Sequence, residues 1–290
     1  MTVQTIDTGL FKLDGGAMYG VVPKSIWQRL NPPDDRNLCN WAMRCLLIEA
    51  AGRLVLVDTG LGNKQDEKFF SHYQPHGEAT LQSSINQAGY DLADVTDVLL
   101  THLHFDHVGG AVERAGDALR PVFPKATYWS HPGHWDWALN PNPREKASFL
   151  TENILPIQES GQLRFLANGL GNDTGNDAGD DYLGLPGLEL IYVDGHTEKM
   201  ALPKLTVGNR TLLYCADLIP SAGHVPLPYV MSYDVRPLLT MDEKARLLTQ
   251  AAAEGWVLVF EHDPLIEAAT VEQTDRGIRV AQTGKLADFL

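Results

Sequence analysis

Residues 102–107 read His-Leu-His-Phe-Asp-His, and no other stretch of the chain limits its fold so sharply. Imidazoles and a carboxylate crowded this closely repel one another unless a metal or an anion compensates them. A short β-rich run, Asp97–Thr101, stands just ahead, so the cluster begins where a strand ends. Residues two apart on an extended segment point the same way, so His102 and His104 converge on one ion. The turn that follows brings Asp106 and His107 toward a second. Val108-Gly109-Gly110 then lets the backbone turn sharply and pass close to the site. Neutral imidazole and carboxylate suit zinc and similar divalent metals.

A site of this kind needs a rigid frame, and the flanking sequence supplies one. Met43–Ala50 and Arg53–Asp58 are apolar runs separated by Ala51-Gly52, which predicts a hairpin. Later strands are predicted at Leu188–Val193, Ala201–Val207, Thr211–Cys215, Trp256–Glu261, Thr270–Thr274 and Gly277–Ala281. Helices are predicted over Glu78–Ala88, Glu145–Leu155 and Met241–Glu254. For the last, Thr240 and Glu243 read as a capping box and Gly255 as the stop. Strands and helices thus alternate in both halves, which predicts layered α/β architecture with sheets inside. Gly169–Asp181 is rich in Gly, Asn and Asp and reads as a solvated surface loop, without the spacing of a calcium loop.

Three more ligand-type residues stand at predicted strand ends. His196 follows Leu188–Val193, Asp217 follows Thr211–Cys215, and His262 follows Trp256–Glu261. Strand ends along one sandwich edge are where a rigid site can be assembled. With the cluster they make seven ligands, enough for two ions that share a carboxylate.

The chain therefore resembles the metallo-β-lactamase superfamily. His102, His104, Asp106 and His107 match its His-x-His-x-Asp-His motif, and His196, Asp217 and His262 its later ligands. Val57-Asp58-Thr59-Gly60 matches the motif after its early hairpin. Leu-His-Phe-Asp-His and Ala216-Asp217-Leu218-Ile219-Pro220 are most similar to the lactonase and phosphotriesterase-like branch. One departure is clear: Gly195-His196-Thr197 continues with Glu198-Lys199-Met200 rather than Pro-Gly and another His. The resemblance implies a single αββα sandwich over residues 1–290. It implies His102, His104 and His196 on a first metal, Asp106, His107 and His262 on a second, and Asp217 bridging. Zinc is the expected metal, with manganese and iron as the alternatives. A hydroxide held by both ions would attack a small lactone, ester or phosphoester, with Asp106 orienting it and Asp58 and Thr101 supporting the ligand rings. His224 and Tyr229, in the Pro-rich segment after Asp217, are expected to donate to the developing oxyanion or leaving group. Met18, Tyr19, Trp27 and Trp41 are expected to form an apolar substrate wall. His131 and His134 are read as structural or surface residues, and His72 and His76 as part of a solvated loop.

Composition narrows the class further. A formal net charge of −14 argues against nucleic acid and anionic membranes as partners. No apolar run approaches a membrane span, and the first residues show no signal-peptide pattern. Cys39, Cys45 and Cys215 form no Cys-x-x-Cys pair and read as buried free thiols, which fits a cytoplasmic protein. A homodimer is open. Two other classes are weighed: an iron-dependent oxygenase of the same fold, such as a persulfide dioxygenase or a diiron flavoprotein, and a non-hydrolytic metal-binding protein. The full ligand set disfavours the first and the last. The roughly 28 residues after His262 leave no room for a flavin domain.

Overall fold

The computed structural model describes residues 1–166 and 185–290, so the Gly169–Asp181 segment lies outside the described residues. The first half begins with strand β1 (Thr2–Asp14), helices α1 (Gly15–Tyr19) and α2 (Lys24–Trp27), and strands β2 (Leu38–Ala50) and β3 (Arg53–Val57). Helices α3 (Glu67–Tyr73) and α4 (Leu81–Gln87) lead to β4 (Asp97–Leu99), the short helix α5 (Phe105–Val108) and the hairpin β5 (Val112–Ala115) and β6 (Ala118–Pro121). Strand β7 (Thr127–Ser130), helices α6 (Pro132–Leu139) and α7 (Thr151–Glu159) and strand β8 (Leu163–Phe165) complete it. The second half runs β9 (Leu188–Val193), β10 (Met200–Val207), β11 (Arg210–Tyr214), α8 (Pro237–Glu254), β12 (Val257–Val259), β13 (Ala268–Thr274) and β14 (Gly277–Gly284).

Among the described residues twelve of these strands make two six-stranded sheets, ordered β1-β2-β3-β4-β7-β8 and β14-β13-β12-β11-β10-β9, and β5 and β6 pair as a separate two-stranded sheet. Both larger sheets are mixed: β3, β4, β7 and β8 are parallel neighbours in one, β11 and β12 in the other. Strand β2 is apolar on both faces, because both faces are covered. Leu46 and Ile48 pack with Leu202, Leu212 and Leu258 between the sheets, while Cys45 and Leu47 join Ile85, Trp135 and Ile154 of the outer helices. Helix α8 covers the far side of the second sheet through Leu247, Leu248 and Ala251. The layers are helix, sheet, sheet, helix, so the expected αββα sandwich holds. The three cysteines are buried and unpaired.

Several details depart from the sequence reading. Strand β1 was not anticipated, because a register shift between Asp7 and Leu10, with Gly9 at φ 106°, interrupts its alternation. The helix expected at Glu145–Leu155 starts at Thr151 instead and continues through Pro156. Asn142 Oδ1 accepts from the backbone N–H of Arg144 and Glu145, at 2.9 and 3.2 Å, and holds that stretch in a turn. Thr240 and Glu243 are no capping box. Helix α8 begins four residues earlier than expected, at Pro237, which needs no N–H there. The Glu243 carboxylate instead accepts from the N–H groups of Asp194 and Gly195, at 2.7 and 3.0 Å, just ahead of His196.

Candidate metal centre

All seven expected ligands meet at one edge of the sandwich. The cluster follows β4, and it is pinned against the turn after β3. Both the N–H and the hydroxyl of Thr59 donate to His107 O at 2.8 Å. Only glycine fits at the contact: a Cβ on Gly110 would lie 2.1 Å from Thr59 O, and one on Gly109 2.1 Å from Leu61 O. Asp58 and Ala216 adopt left-handed conformations at φ 57° and 41°, which non-glycine residues reach only when their surroundings impose it. His262 is set from two sides: its N–H donates to Pro220 O in the segment after β11, and its carbonyl accepts from Ala42 N on β2 of the first sheet. The buried Arg44 guanidinium reinforces that seam by donating to Phe260 O and Asp263 O.

The ligands fall into two groups. His102, His104, His196 and Asp217 form one, and Asp106, His107 and His262 the other. In the first, His104 Nδ1 lies 3.1 Å from His102 Nε2 and 3.2 Å from His196 Nε2. In the second, His107 Nε2 and His262 Nε2 are 3.2 Å apart. Asp217 stands between them. Its Oδ2 is 3.1 Å from His196 Nε2, and its Oδ1 is 2.9 Å from His262 Nε2 and 3.5 Å from His107 Nε2. Nitrogens about 2.0–2.1 Å from a tetrahedral ion stand roughly 3.3 Å from one another, so both groups match a divalent cation.

The remote nitrogen of each ring identifies its tautomer. His262 Nδ1 faces Ala42 O at 2.7 Å, an atom that only accepts, so Nδ1 carries the proton and Nε2 the inward lone pair. His196 Nδ1 faces Asp234 Oδ1 at 2.9 Å, and His107 Nδ1 faces Asp58 Oδ2 and Glu261 Oε2, each at 3.1 Å. Thr101 spends its hydroxyl proton on Asp58 Oδ2 at 2.6 Å, so its oxygen accepts from His102 Nδ1 at 3.1 Å. His104 turns Nε2 toward Glu145 Oε1, 3.5 Å away. Every ring thus turns its other nitrogen inward, the orientation a metal requires.

Electrostatics divide the rings: burial opposes charge on His107 and His196, yet Glu261 and Asp217 raise the first, and Asp217 and Asp234 the second. Burial and neighbouring rings hold His102 below the ordinary histidine range, and burial does the same to His104. Burial opposes charge on His262, yet Asp217 and Glu261 raise it to about 9. Burial would raise Asp217, but His262, His196 and His107 hold its carboxyl well below the usual range.

A cavity of about 340 Å³ opens over both groups. His104, Asp106, His196, Asp217 and His262 form its floor, with Leu13, Met18, Phe105, Met231, Tyr73, Arg144 and Tyr233 among its walls. A family model described as the metallo-beta-lactamase superfamily matches residues 44–262. The chain belongs to this superfamily. Its site holds the ligand sets of a binuclear divalent-metal centre, and it is a metal-dependent hydrolase. A probable metallo-hydrolase of Mycobacterium tuberculosis is 26% identical over 245 residues, 76% of this chain and 74% of that one. The N-acyl homoserine lactonase AiiA of Bacillus thuringiensis subsp. kurstaki is 25% identical over 260 residues, 82% of this chain and 87% of that one. Among solved structures, a probable metal-dependent hydrolase from Staphylococcus aureus superposes with a TM-score of 0.84 at 24% identity, covering 98% of this chain and 96% of that one. AidC, a dizinc quorum-quenching lactonase in complex with a product, gives 0.77 at 20% identity, covering 98% and 95%.

Other expected members of this superfamily site lie elsewhere. His224 is fully buried, its Nδ1 2.7 Å from Ser221 Oγ and its Nε2 2.9 Å from Met18 O, with Tyr19 stacked on it at 4.5 Å. It is not among the residues that line the cavity. Nor is Tyr229: its segment is drawn inward by the buried Lys244 ammonium, which donates to the carbonyls of His224, Pro226, Leu227 and Tyr229. Of the expected apolar wall, Met18 lines the cavity, whereas Tyr19, Trp27 and Trp41 pack in the core behind it. His134 is structural, accepting from Leu103 N at 2.8 Å, and His131 caps α6. His72 sits exposed in the last turn of α3 rather than in a loop, and His76 is exposed beyond it. Glu145, Asp234, Glu261, Arg144 and Tyr233 were not anticipated. Among the described residues no helix is long and apolar enough to cross a membrane.

Proposed function

We propose that the protein hydrolyses small lactones or related carboxylic esters, with two zinc ions held by His102, His104 and His196 on one side and Asp106, His107 and His262 on the other. The observation that carries this reading is Asp217, whose two oxygens face the two ligand groups at the floor of a cavity with apolar side chains on its wall. When bound, the ions supply Lewis acidity and make water ionisable near neutral pH. Imidazole and carboxylate ligands suit zinc, and manganese or iron are the alternatives the same ligands accept. Asp106, on the cavity floor, orients the attacking water in this reading and takes its proton at a carboxylate oxygen. Leu13, Met18, Phe105 and Met231 favour a substrate with an apolar acyl portion, and they exclude bulk water from the reacting ester. The lactonase names of the sequence relatives and the product complex of AidC support the choice of lactones.

The acidic surface suits a small-molecule substrate rather than nucleic acid. A cytoplasmic location and a homodimer remain part of this proposal. The deciding experiment combines elemental analysis of purified protein with turnover of lactones, aryl esters and phosphotriesters before and after chelation. Two ions per chain and lactone hydrolysis that returns with added zinc are expected. Oxygen consumption with a persulfide, and no hydrolysis, would overturn the reading in favour of an iron oxygenase.

A further inference from the structure

One polar group on the cavity wall has no work in the folded protein. Tyr233 lines the cavity beside Asp106 and is 38% exposed. Its hydroxyl makes no hydrogen bond among the described residues. The backbone around it is nevertheless fixed. Arg144 Nη2 donates to Ser232 O and, at 2.9 Å, to Asp234 O, so one guanidinium grips the chain on both sides of Tyr233. Ser232 N donates to Ala17 O at 2.8 Å. Asp234 Oδ2 accepts from Met231 N at 3.0 Å, and its Oδ1 faces Nδ1 of the ligand His196 at 2.9 Å. The tyrosine is thus indexed directly to a metal ligand. A free donor carried on backbone held this firmly beside a reaction site needs little reorganisation to meet developing charge. Burial, with Tyr73 and Asp106 nearby, pushes its phenol above the ordinary range, so it keeps its proton at neutral pH.

We infer that Tyr233 donates a hydrogen bond to the oxygen that leaves the acyl carbon, with Arg144 as its positioning residue. This rests on the ester-hydrolase reading. An alkoxide from a lactone is a strong base and gains much from a donor as the C–O bond breaks. A nitrophenolate is already stable and gains little. Tyr233 transfers no proton in this account; it holds the charge until solvent protonates the alkoxide.

The test compares Tyr233→Phe with wild type on γ-decalactone and on nitrophenyl decanoate, with metal content measured on the same preparations. The variant should keep its metals and lose about 10–100-fold in kcat on the lactone but under about 3-fold on the aryl ester. In calorimetry it should bind the product γ-hydroxydecanoate less tightly than wild type does, while decanoate binding stays unchanged. Arg144→Met should give a weaker form of the same pattern, which a merely structural loss would not. Equal losses on both substrates, an unchanged lactone rate, or the selective loss appearing in Tyr73→Phe instead would overturn the assignment. A wild type inert toward both substrates would overturn the ester-hydrolase reading together with this one.

Discussion

Replacing Glu145 by Gln tests whether the ring orientation described above governs metal binding. Glu145 is 2% exposed and lies behind His104, away from the metal side of the ring. Its Oε1 faces His104 Nε2, and its Oε2 accepts from Trp137 Nε1 at 2.8 Å and Asn142 Nδ2 at 2.6 Å. Burial alone would raise its pKa, but the contacts with His104 and Trp137 outweigh it and lower it from 4.5 to about 2. That difference corresponds to about 3 kcal/mol at most, and about 2 kcal/mol once screening from the cavity is allowed for. Because the folded-state pKa is depressed, this stabilisation is complete above about pH 4.5 and is lost as pH falls toward 2. Gln keeps the shape but must turn its amide N–H₂ toward one of the three donors, leaving a buried donor unpaired at about 1–3 kcal/mol. With His104 no longer anchored, affinity at the first group should fall about 10–100-fold, as for other residues that hold a metal ligand from behind. Competition with a chromophoric chelator measures that affinity, and urea titrations of both proteins from pH 7 to about pH 2.5 measure the acid limb. The stability gap should narrow across the acid range. Unchanged metal affinity, or a gap independent of pH, would refute the argument.

Asp217→Asn keeps size but not charge, so the second group should lose its ion and turnover should drop by about two or more orders of magnitude, while the metal-free protein stays folded with a lowered melting temperature, because the carboxylate that faces His196, His107 and His262 is gone; elemental analysis and calorimetry on one preparation decide it. His224→Ala should cost about 3 kcal/mol, read by denaturant midpoint, because it empties a buried ring site and strands Ser221 Oγ and Met18 O; metal content and kcat should hold. Gly110→Ala places a methyl against Thr59 O and forces the ligand loop off its support, so metal content should fall with a stability loss of about 3 kcal/mol.

The metal ligands were legible because their signal is local or punctual. Four crowd into residues 102–107, and the other three sit at predicted strand ends. The groups that aim those rings were not. Glu145 reaches His104 from 41 residues away and Asp234 reaches His196 from 38, with no spacing rule connecting either pair. Tyr229 stands out in the sequence and Tyr233 does not, since nothing there marks Lys244 as buried. On a helix a lysine ordinarily reads as solvated, yet this one is fully buried and its four carbonyl acceptors set which way the segment turns. Glu243 misled for a related reason: its distance from Thr240 fits a cap, but its carboxylate found stronger use on the His196 loop.

Strand direction explains why ligands so far apart meet at all. Two adjacent antiparallel strands send their following loops to opposite edges, whereas parallel neighbours send them to the same one. In the first sheet β3 and β4 are parallel, so Asp58 and the His102–His107 loop emerge side by side. In the second, β11 and β12 are parallel, which delivers Asp217 and His262 together. Strand β9 is antiparallel to β10, which is antiparallel to β11. Two reversals restore the direction, and His196 arrives at the same edge. The remaining requirement is that the two edges coincide. That is met where β2 crosses over: Ala42 and Arg44 donate their N–H groups to the carbonyls of His262 and Glu261, and the Arg44 guanidinium closes the seam. A shift of one residue in that pairing would turn His262 away from Asp217, since alternate residues of an extended segment face opposite sides. The binuclear geometry therefore depends on the register between the sheets as directly as on the identity of the ligands.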